Sequence, residues 1–410
     1  METYKFLKCK SCGFDELDEF IDFGNNPIST NYKLVPSEVS EFYKLSMAVC
    51  KHCGTAQLLD HIPESKLVNP PSWITYNEPE IHLDSLVDEL MALVDNRSAK
   101  VRGLSYKDQS TINRFNNFDY HDSQMYDFSF NPKSTQVVNI EQLQNLVTLR
   151  NCLTVSSNQQ LADILLVRHI LEHTFDTKKF MSGIKSLMKI NGLAVFEVPD
   201  CSQQFENSDY TCLWEEHTIY FVEQTFRGVL EQNGFKLEKF FTYKYSTENS
   251  LVAICTLNNE PAAKFDDKPL TLNSQYSEHL TKFRDNFSKI KSETHNYVVS
   301  QKEKGKVIIF GAGHLSITFI HLFDLESIID FVIDDDPNKC GKYLPGTSIE
   351  IRGSESLVKA RIETCFLSLS PESESRFLSE KTHLLNNVTT IKSIFPGKEN
   401  SILRSIKLEH

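Results

Sequence analysis

The sequence lacks the features that mark membrane and exported proteins. No apolar run reaches about 18 residues, the length that a membrane-spanning helix needs. The opening stretch, METYKFLKCK, has no apolar core of the kind that a signal peptide carries. Both absences lead us to expect a cytoplasmic protein without a membrane partner.

The sequence also lacks an excess of basic residues. Its net charge is -12, and a nucleic-acid-binding surface needs positive charge to meet phosphate groups. We therefore expect no nucleic-acid partner. The 410 residues exceed one typical domain and indicate two or three, with an ordinary globular composition. The sequence says nothing about the oligomeric state.

Most of the ten cysteines follow no pattern. Six of them are scattered: Cys152, Cys201, Cys212, Cys255, Cys340 and Cys365. A disulfide framework is not expected in a large chain without an export signal, so the predicted compartment is reducing.

The other four cysteines form two closely spaced pairs. Cys9 and Cys12, then Cys50 and Cys53, each enclose two residues and are each followed by glycine. Two intervening residues let both thiolates of a pair reach one ion, and four thiolates close a tetrahedral zinc site. We predict structural zinc, with a small β-rich insert between the pairs. His52 is expected to be exposed and not a ligand.

Leu161–Phe221 has the rhythm of a parallel α/β sheet. Ala162–Val167 and Leu193–Val198 are apolar runs typical of buried strands. Between them, Phe175–Ile190 has apolar residues at helical spacing, and Asn191-Gly192 is a helix stop. The fold class predicted for this stretch is therefore α/β.

Polar side chains gather where these strands end. They are Arg168, His169, Glu172, His173, Glu197, Asp200, Glu215, Glu216 and His217. Ligands bind outside the carboxyl ends of strands in open α/β sheets, so the group indicates a site. Taken singly, each histidine is more typical of the surface or of a satisfied core position.

The glycine-rich turn of a nucleotide-binding domain is largely missing upstream. The stretch SAKVRGLSYKDQSTINRF offers a short strand at Ala99–Val101 and a single glycine, Gly103. Tyr126-Asp127-Phe128 suits the end of a second strand, with Asp127 as the acid that binds ribose hydroxyls.

A second α/β unit begins at Gly305. The pattern Gly311-x-Gly313-x-x-Ser316 follows a strand and opens a helix, and Asp334 ends the next strand. This pattern is consistent with a dinucleotide site, although it is also a plain structural feature of such folds. Between the two units, Leu280, Phe283, Phe287 and Ile290 predict a core or interdomain helix.

Several of these segments together resemble the sugar C-methyltransferase family. The matching segments are IDFGNNPIST, FYKLSMAVCKHCGTAQLLDHIP, ADILLVRHILEH, GLAVFEVPD and the block ending E-H-x-x-Y-F. The resemblance implies a small zinc-binding N-terminal domain, a central Rossmann-like methyltransferase domain and a C-terminal Rossmann-like α/β domain. The expected ranges are 1–67, 68–258 and 305–407, with a linker and interdomain helix at 259–304.

The resemblance also implies a reaction and the residues that perform it. The family uses S-adenosylmethionine to methylate nucleotide-linked keto-deoxysugars. His217 matches its general base, a role that suits imidazole. The implied substrate-positioning residues are His173, Glu216 and Tyr76. The implied cofactor-binding residues are Gly103, Asp108, Asp127 and Arg168. The C-terminal domain would shape the substrate side, since Asp334, Pro337, Lys339, Gly341, Pro345 and Gly346 match the spacing of the family motif.

Two departures leave a second function open. Trp214-Glu215-Glu216-His217 stands where the family has Tyr-His-Glu-His, and Lys107-Asp108-Gln109 stands for Asn-Asp-Gly. The alternative is a methyltransferase fold that has lost methyl transfer and binds a nucleotide-sugar or a partner.

Overall fold

The computed structural model describes residues 4–5, 8–67, 79–128, 138–246, 248–258, 272–358, 361–380 and 382–406. Tyr76, one of the predicted site residues, lies outside these ranges. Among the described residues, no helix combines the length and the apolar character that crossing a membrane requires.

The N-terminal region is built from short antiparallel strands around the cysteine pairs. Its elements are β1 (Tyr4–Lys5), β2 (Leu17–Pro27), β3 (Phe42–Cys50), β4 (Ala56–Leu58), β5 (Asp60–His61) and α1 (Glu64–Leu67). Because β2 and most of β3 lie between the pairs, the predicted β-rich insert is confirmed. The four-stranded sheet of this region has the order β10-β4-β3-β2, and one of its two outer strands, β10 (Ile219–Tyr220), comes from the central region.

The central region is a six-stranded sheet covered by helices. Its strands are β6 (Val101–Gly103), β7 (Ser123–Met125), β8 (Ala162–Arg168), β9 (Met188–Asp200), β11 (Phe235–Tyr243) and β12 (Asn249–Leu257); β10 (Ile219–Tyr220) leaves the sheet to pair with β4. Its helices are α2 (Leu83–Leu93), α3 (Gln109–Asn117), α4 (Ile140–Leu146), α5 (Leu149–Gln159), α6 (Thr177–Leu187), α7 (Ser202–Asn207) and α8 (Glu223–Gln232).

The order of this sheet brings the predicted site to one edge. It runs β11-β12-β9-β8-β6-β7, with β6 to β9 parallel and β11 and β12 antiparallel. The carboxyl ends of β6, β8 and β9 therefore lie side by side. The α/β prediction is confirmed.

Two predicted boundaries were wrong. Helix α6 ends at Leu187, and the chain is already extended at Met188, so Asn191-Gly192 lies inside β9 and is not a helix stop. A Cβ at Gly192 would lie 2.9 Å from the carbonyl oxygen of Ala162, which explains the glycine by close strand approach. The strand expected at Ala99–Val101 begins two residues later, as β6.

The C-terminal region starts with a long helix and ends in a parallel sheet. Its elements are α9 (Ser274–Lys302), β13 (Val307–Phe310), α10 (His314–Leu322), β14 (Phe331–Ile333), β15 (Ile351–Arg352), β16 (Ile362–Leu367), α11 (Pro371–Glu380) and β17 (Val388–Ser393). The strands are parallel and have the order β15-β14-β13-β16-β17. The chain adds strands first on one side of β13 and then on the other, as in doubly wound folds.

One apolar core joins all three regions through α9. The predicted stripe on this helix is buried, and Phe287 packs edge-on against Phe23 of β2 with ring centroids 5.1 Å apart. The Tyr210 hydroxyl donates to the carbonyl oxygen of Phe283 at 2.7 Å. Helix α9 is therefore a core helix that contacts the other regions, while the domain limits, including the linker and interdomain helix at 259–304, stay a prediction.

Candidate functional site

The four paired cysteines converge in the N-terminal region. Their sulfur atoms all lie within 4.8 Å of one another, and the pairs Cys9–Cys53 and Cys12–Cys50 are each 3.6 Å apart. Four sulfurs about 2.3 Å from one zinc ion would be separated by about 3.8 Å, so the donor set and its geometry fit zinc. All four side chains are buried, so such a site is closed to water and structural.

The two knuckle turns depend on their glycines. Gly13 and Gly54 have φ values of +82° and +72°, and their amides donate to the carbonyl oxygens of Cys9 and Cys50 at 2.8 Å. His52 was expected to be exposed, and this was wrong. Its ring is 7% exposed because it stacks on Phe14, with centroids 3.7 Å apart.

The polar residues predicted at the strand ends form two groups, which meet where His169 Nδ1 lies 3.5 Å from Glu172 Oε1. The first group, which we call the arginine network, contains Arg168, His169 and Glu197 together with His82 and Asp108. The second, which we call the histidine cluster, contains Glu141, Glu172, His173, Glu216 and His217. Two predicted residues join neither group. Asp200 binds the Ser202 amide and hydroxyl at 3.0 and 2.8 Å, and Glu215 accepts the amide of Ser29 at 2.6 Å.

The arginine network occupies the carboxyl ends of β8 and β9. Arg168 is fully buried, and its Nε donates to Glu197 Oε2 at 2.5 Å. The other carboxylate oxygen of Glu197 lies 3.1 Å from His82 Nε2 and 3.2 Å from His169 Nε2. Burial alone would raise the pKa of Glu197, but Arg168 and His169 hold that pKa well below its usual range. The network therefore carries a buried, paired charge.

Asp108 joins this network to the loop that follows β6. Its carboxylate accepts the amides of Leu104 at 2.8 Å, Ser105 at 3.0 Å and Arg168 at 3.2 Å. Burial raises the pKa of Asp108 to about 6, although the hydrogen bond from the Ser105 amide acts in the opposite direction. A Cβ at Gly103 would lie 2.7 Å from Asp108 Cβ, so the glycine makes room for this carboxylate.

Asp127 has a different environment from Asp108. It lies just beyond the end of β7, the strand next to β6, and its side chain is exposed. An exposed acid at this point fits the hydroxyls of a ribose in a Rossmann-like sheet. The amides of Leu104 and Ser105, by contrast, are already engaged by Asp108.

The histidine cluster forms where three loops meet. His169 at the end of β8 has φ +49°, and a 3₁₀ turn over Leu171–His173 follows it. The amide of Thr218 donates to the carbonyl oxygen of Glu172 at 2.8 Å, which ties this turn to the segment before β10. The third loop is the start of α4, where Glu141 Oε1 lies 3.1 Å from His173 Nδ1.

The two predicted histidines are neighbours within the cluster. The rings of His173 and His217 have centroids 4.8 Å apart and are nearly perpendicular. Burial, and then the proximity of His173, hold the pKa of His217 well below its usual range. Its imidazole is therefore neutral near pH 7 and has a lone pair available.

The other two regions reach this cluster. His314, the first residue of α10, stacks on Trp214 with centroids 4.6 Å apart, and Trp214 in turn lies 4.7 Å from His217. Tyr32 of the N-terminal region donates its hydroxyl to the carbonyl oxygen of Ala312. The C-terminal region thus borders the cluster through His314 and Trp214, and Tyr32 joins the N-terminal region to the C-terminal loop beside it.

Sequence reasoning missed Glu141 and His314. Glu141 lies in a stretch with only a modest helical pattern, and nothing in the sequence pairs it with His173. His314 follows the glycine pattern directly, so its position was recognisable, but its stacking on a tryptophan 100 residues earlier was not.

The Gly311 loop has its own internal contacts. Gly311 has φ +105°, and a Cβ there would lie 2.6 Å from the carbonyl oxygen of Ser368. Asp334, whose spacing from Gly311 also suits a ribose acid, accepts the amide of Ala312 at 2.9 Å and pairs with Lys339 at 3.2 Å. These contacts account for the glycine and the acid without a ligand, in agreement with the structural interpretation of the pattern.

Three family models match successive parts of the chain. Residues 9–67 match a model described as "Putative zinc binding domain", residues 67–239 match "Methyltransferase domain", and residues 263–395 match "C-methyltransferase C-terminal domain". Together they span all three regions of the structure, in the order that the sequence predicted.

The chain is similar to one curated relative, the C-methyltransferase NovU of Streptomyces niveus. The two are 20% identical over 247 residues, which make up 56% of this chain and 56% of the relative. The chain therefore spans little more than half the length of the relative it matches.

Solved structures of methyltransferases resemble the chain over less than half its length. A 1,6-didemethyltoxoflavin-N1-methyltransferase from Burkholderia thailandensis, solved with S-adenosylhomocysteine, is 12% identical, with a TM-score of 0.28 and coverage of 44% of this chain and 80% of that one. A SAM-dependent methyltransferase from Anabaena variabilis is also 12% identical, with a TM-score of 0.29 and coverage of 44% and 86%. The family models carry more weight than these likenesses. Successive parts of the chain match a zinc-binding domain, a methyltransferase domain and a C-methyltransferase C-terminal domain.

Proposed function

We propose that the protein transfers a methyl group from S-adenosylmethionine to a carbon atom of a nucleotide-linked keto-deoxysugar. The observation that carries the proposal is the position of His217, a partly buried, neutral imidazole beside His173 and Trp214. A neutral imidazole held in such a cluster suits deprotonation of a carbon acid.

In this proposal, each residue of the site has one task. A nitrogen of His217 accepts the proton from the carbon next to the sugar ketone. The electron pair left on that carbon forms the new bond to the methyl carbon, and the sulfur–methyl bond breaks. His173 and Glu216 orient the sugar, as does Tyr76. Holding the two reactants in line supplies much of the rate enhancement.

We assign the methyl donor to the carboxyl edge of β6 and β7. S-adenosylmethionine supplies a methyl group on a positively charged sulfur. Asp127 would bind the ribose hydroxyls, because it is exposed at the end of β7. Gly103, Asp108 and Arg168 would form the wall beside the donor, with Asp108 fixing the loop and Arg168 held by Glu197. The sugar nucleotide would lie toward His314 and the C-terminal region.

A second candidate function rests on the loop after β6. Asp108 already binds the Leu104 and Ser105 amides, and these are the backbone groups that a donor would otherwise use. A chain that keeps the fold but has closed this loop would bind the nucleotide-sugar, or a partner, without methyl transfer.

Calorimetric titration separates the two candidates. Zinc-loaded protein is titrated with S-adenosylmethionine and S-adenosylhomocysteine. Micromolar binding of both supports methyl transfer, while the absence of binding by a folded protein supports the second candidate.

Substitution of the proposed base tests the chemistry. In turnover with a nucleotide-linked ketosugar, His217→Ala should lower kcat by at least about 100-fold, because the proton acceptor is gone. His295→Ala is the matched control, since His295 is a partly buried histidine on α9 whose Nδ1 contacts the carbonyl oxygen of Phe323 at 3.0 Å. Full activity of His217→Ala would remove the histidine from the reaction.

A further inference from the structure

The histidine cluster has the composition of a metal site as well as that of a base and its neighbours. It combines three carboxylates with two imidazoles, and these come from α4, from the turn after β8 and from the segment before β10. Neither the family models nor the relative assigns a metal here. The cluster is separate from the four cysteines of the N-terminal region.

The distances within the cluster suit one cation. Donor atoms of Glu141, His173 and Glu216 all lie within 4.8 Å of one another. His173 Nδ1 and Glu141 Oε1 are 3.1 Å apart. Two neighbouring ligands about 2.1 Å from one ion in an octahedral arrangement are separated by about 3.0 Å, so this pair already has ligand spacing.

The side chains of the three residues are buried. Glu141 and Glu216 are each 5% exposed, and His173 is 6% exposed. Carboxylates removed from water need a counter-charge or a full set of hydrogen bonds. A divalent ion bound among these residues would supply that charge.

Two buried atoms have unused bonding capacity. Among the described residues, His173 Nδ1 has no hydrogen bond, although Glu141 Oε1 is only 3.1 Å away. Glu172 Oε2, on a side chain 1% exposed, likewise has no hydrogen-bond partner in the described part of the chain. His173 Nδ1 and Glu141 Oε1, which lie close without a hydrogen bond between them, are therefore arranged as two ligands of a shared ion.

We propose that Glu141, His173 and Glu216 bind one divalent cation. Two carboxylates and one imidazole form a mixed oxygen and nitrogen set, which suits Mn²⁺ or a similar ion, whereas the four thiolates of the N-terminal site select zinc. Three protein ligands leave positions for water or for oxygen atoms of a substrate.

The place of the cation in the reaction rests on the proposed function, whereas its binding does not. His217 is outside the ligand set and stays available as the base. A cation beside it would bind the ketone oxygen and stabilise the negative charge that develops there as His217 takes the proton. Sugars with a ketone next to a hydroxyl could bind through both oxygens.

The test is a titration with Mn²⁺, followed by the electron paramagnetic resonance signal of the free ion. The full-length, zinc-loaded protein is used, because zinc occupies the thiolate site and Mn²⁺ binds thiolates poorly. We expect one Mn²⁺ per chain. Glu141→Gln and His173→Gln should each weaken its binding at least tenfold, with zinc content unchanged.

The control variant is Glu215→Gln. Glu215 is buried beside Glu216 but is engaged by the Ser29 amide and belongs to neither ligand group. It should keep Mn²⁺ binding. Folded wild-type protein that binds no Mn²⁺, or binding that survives in Glu141→Gln, would overturn the proposal. Loss of S-adenosylmethionine binding with Mn²⁺ binding intact would instead overturn the proposed function alone.

Discussion

The central and C-terminal sheets begin alike and end differently. Each opens with a strand, a loop that contains glycine and a helix, and in each an aspartate carboxylate accepts amides of that loop: Asp108 in the central sheet and Asp334 in the C-terminal sheet. The C-terminal sheet has the more complete glycine pattern. The polar residues nevertheless gather at the central sheet, where the pattern is eroded.

The difference lies in what fills the strand ends. In the central sheet, the fully buried Arg168 and Glu197 form an ion pair that fills the carboxyl ends of the neighbouring strands β8 and β9. In the C-terminal sheet, Gly311, Asp334 and Arg376 line an open cleft of about 640 Å³, a volume that includes the solvent at its mouth. A glycine pattern therefore identifies the fold of a loop, whereas the neighbouring regions decide where a site forms.

The largest expected effect comes from removing a zinc ligand. Cys50→Ser should release zinc and unfold the N-terminal region, because closed zinc sites contribute folding energy directly. Through the β4–β10 pairing, the damage should reach the central site. Hydrogen exchange would show faster exchange at Ile219–Tyr220. Cys340→Ser, at an exposed cysteine, is the control. Retained zinc would contradict the assignment.

Two matched ion-pair variants would sharpen the comparison between the sheets. Arg168→Met leaves the carboxylate of Glu197 buried and should cost about 3–5 kcal/mol of unfolding free energy. Lys339→Met removes the partner of Asp334, where both side chains are partly exposed, and should cost about 1 kcal/mol or less. Urea denaturation measures both. Equal losses would mean that the strand ends are not as different as their burial indicates.

A pair of glycine variants compares the two loops directly. Gly103→Ala places a methyl group 2.7 Å from Asp108 Cβ and Met125 Sδ, and should cost about 1–3 kcal/mol by overpacking. Gly313→Ala meets nothing within 4 Å and should be nearly neutral. Thermal denaturation distinguishes them. A neutral Gly103→Ala would show that the loop after β6 is free to open for a ligand.

The last comparison is a pH dependence that arises in the central loop. The pKa of Asp108 is raised to about 6 in the folded protein, above its usual 3.8. Between these values the folded state binds the extra proton, so this group's contribution to stability falls as pH rises from about 4 to about 6. Asp108→Asn should flatten the stability profile over that window. The measured quantity is the difference in unfolding free energy between the wild-type protein and Asp108→Asn at each pH. A difference that does not change with pH would contradict the raised pKa of Asp108.

Local patterns predicted much of the fold. Cysteine spacing marked the zinc site, apolar runs marked β8 and β9, and the stripe from Leu280 to Ile290 marked α9. Each of these signals depends on residues a few positions apart. The helix boundary at Leu187 was misplaced because Asn191-Gly192 serves a close strand approach, which depends on the distant Ala162.

The site was less predictable because loops assemble it. The resemblance indicated His173 and His217, and the structure places their rings side by side. The separation of Arg168 from His173 into two networks followed from the 3₁₀ turn at Leu171–His173, which the sequence did not reveal. Glu141 and His314 join through tertiary contacts alone, and no spacing rule connects either one to the histidines.

The pairing of β10 with β4 also has a consequence for how the chain is made. Strand β4 is an edge of its sheet until β10 joins it, and β10 lies far downstream, beyond most of the central region. At ordinary rates of protein synthesis, the edge waits roughly ten seconds for its partner. An open strand edge is a template for unwanted pairing. While it is still on the ribosome, the newly made N-terminal region is therefore exposed to unwanted strand pairing at β4.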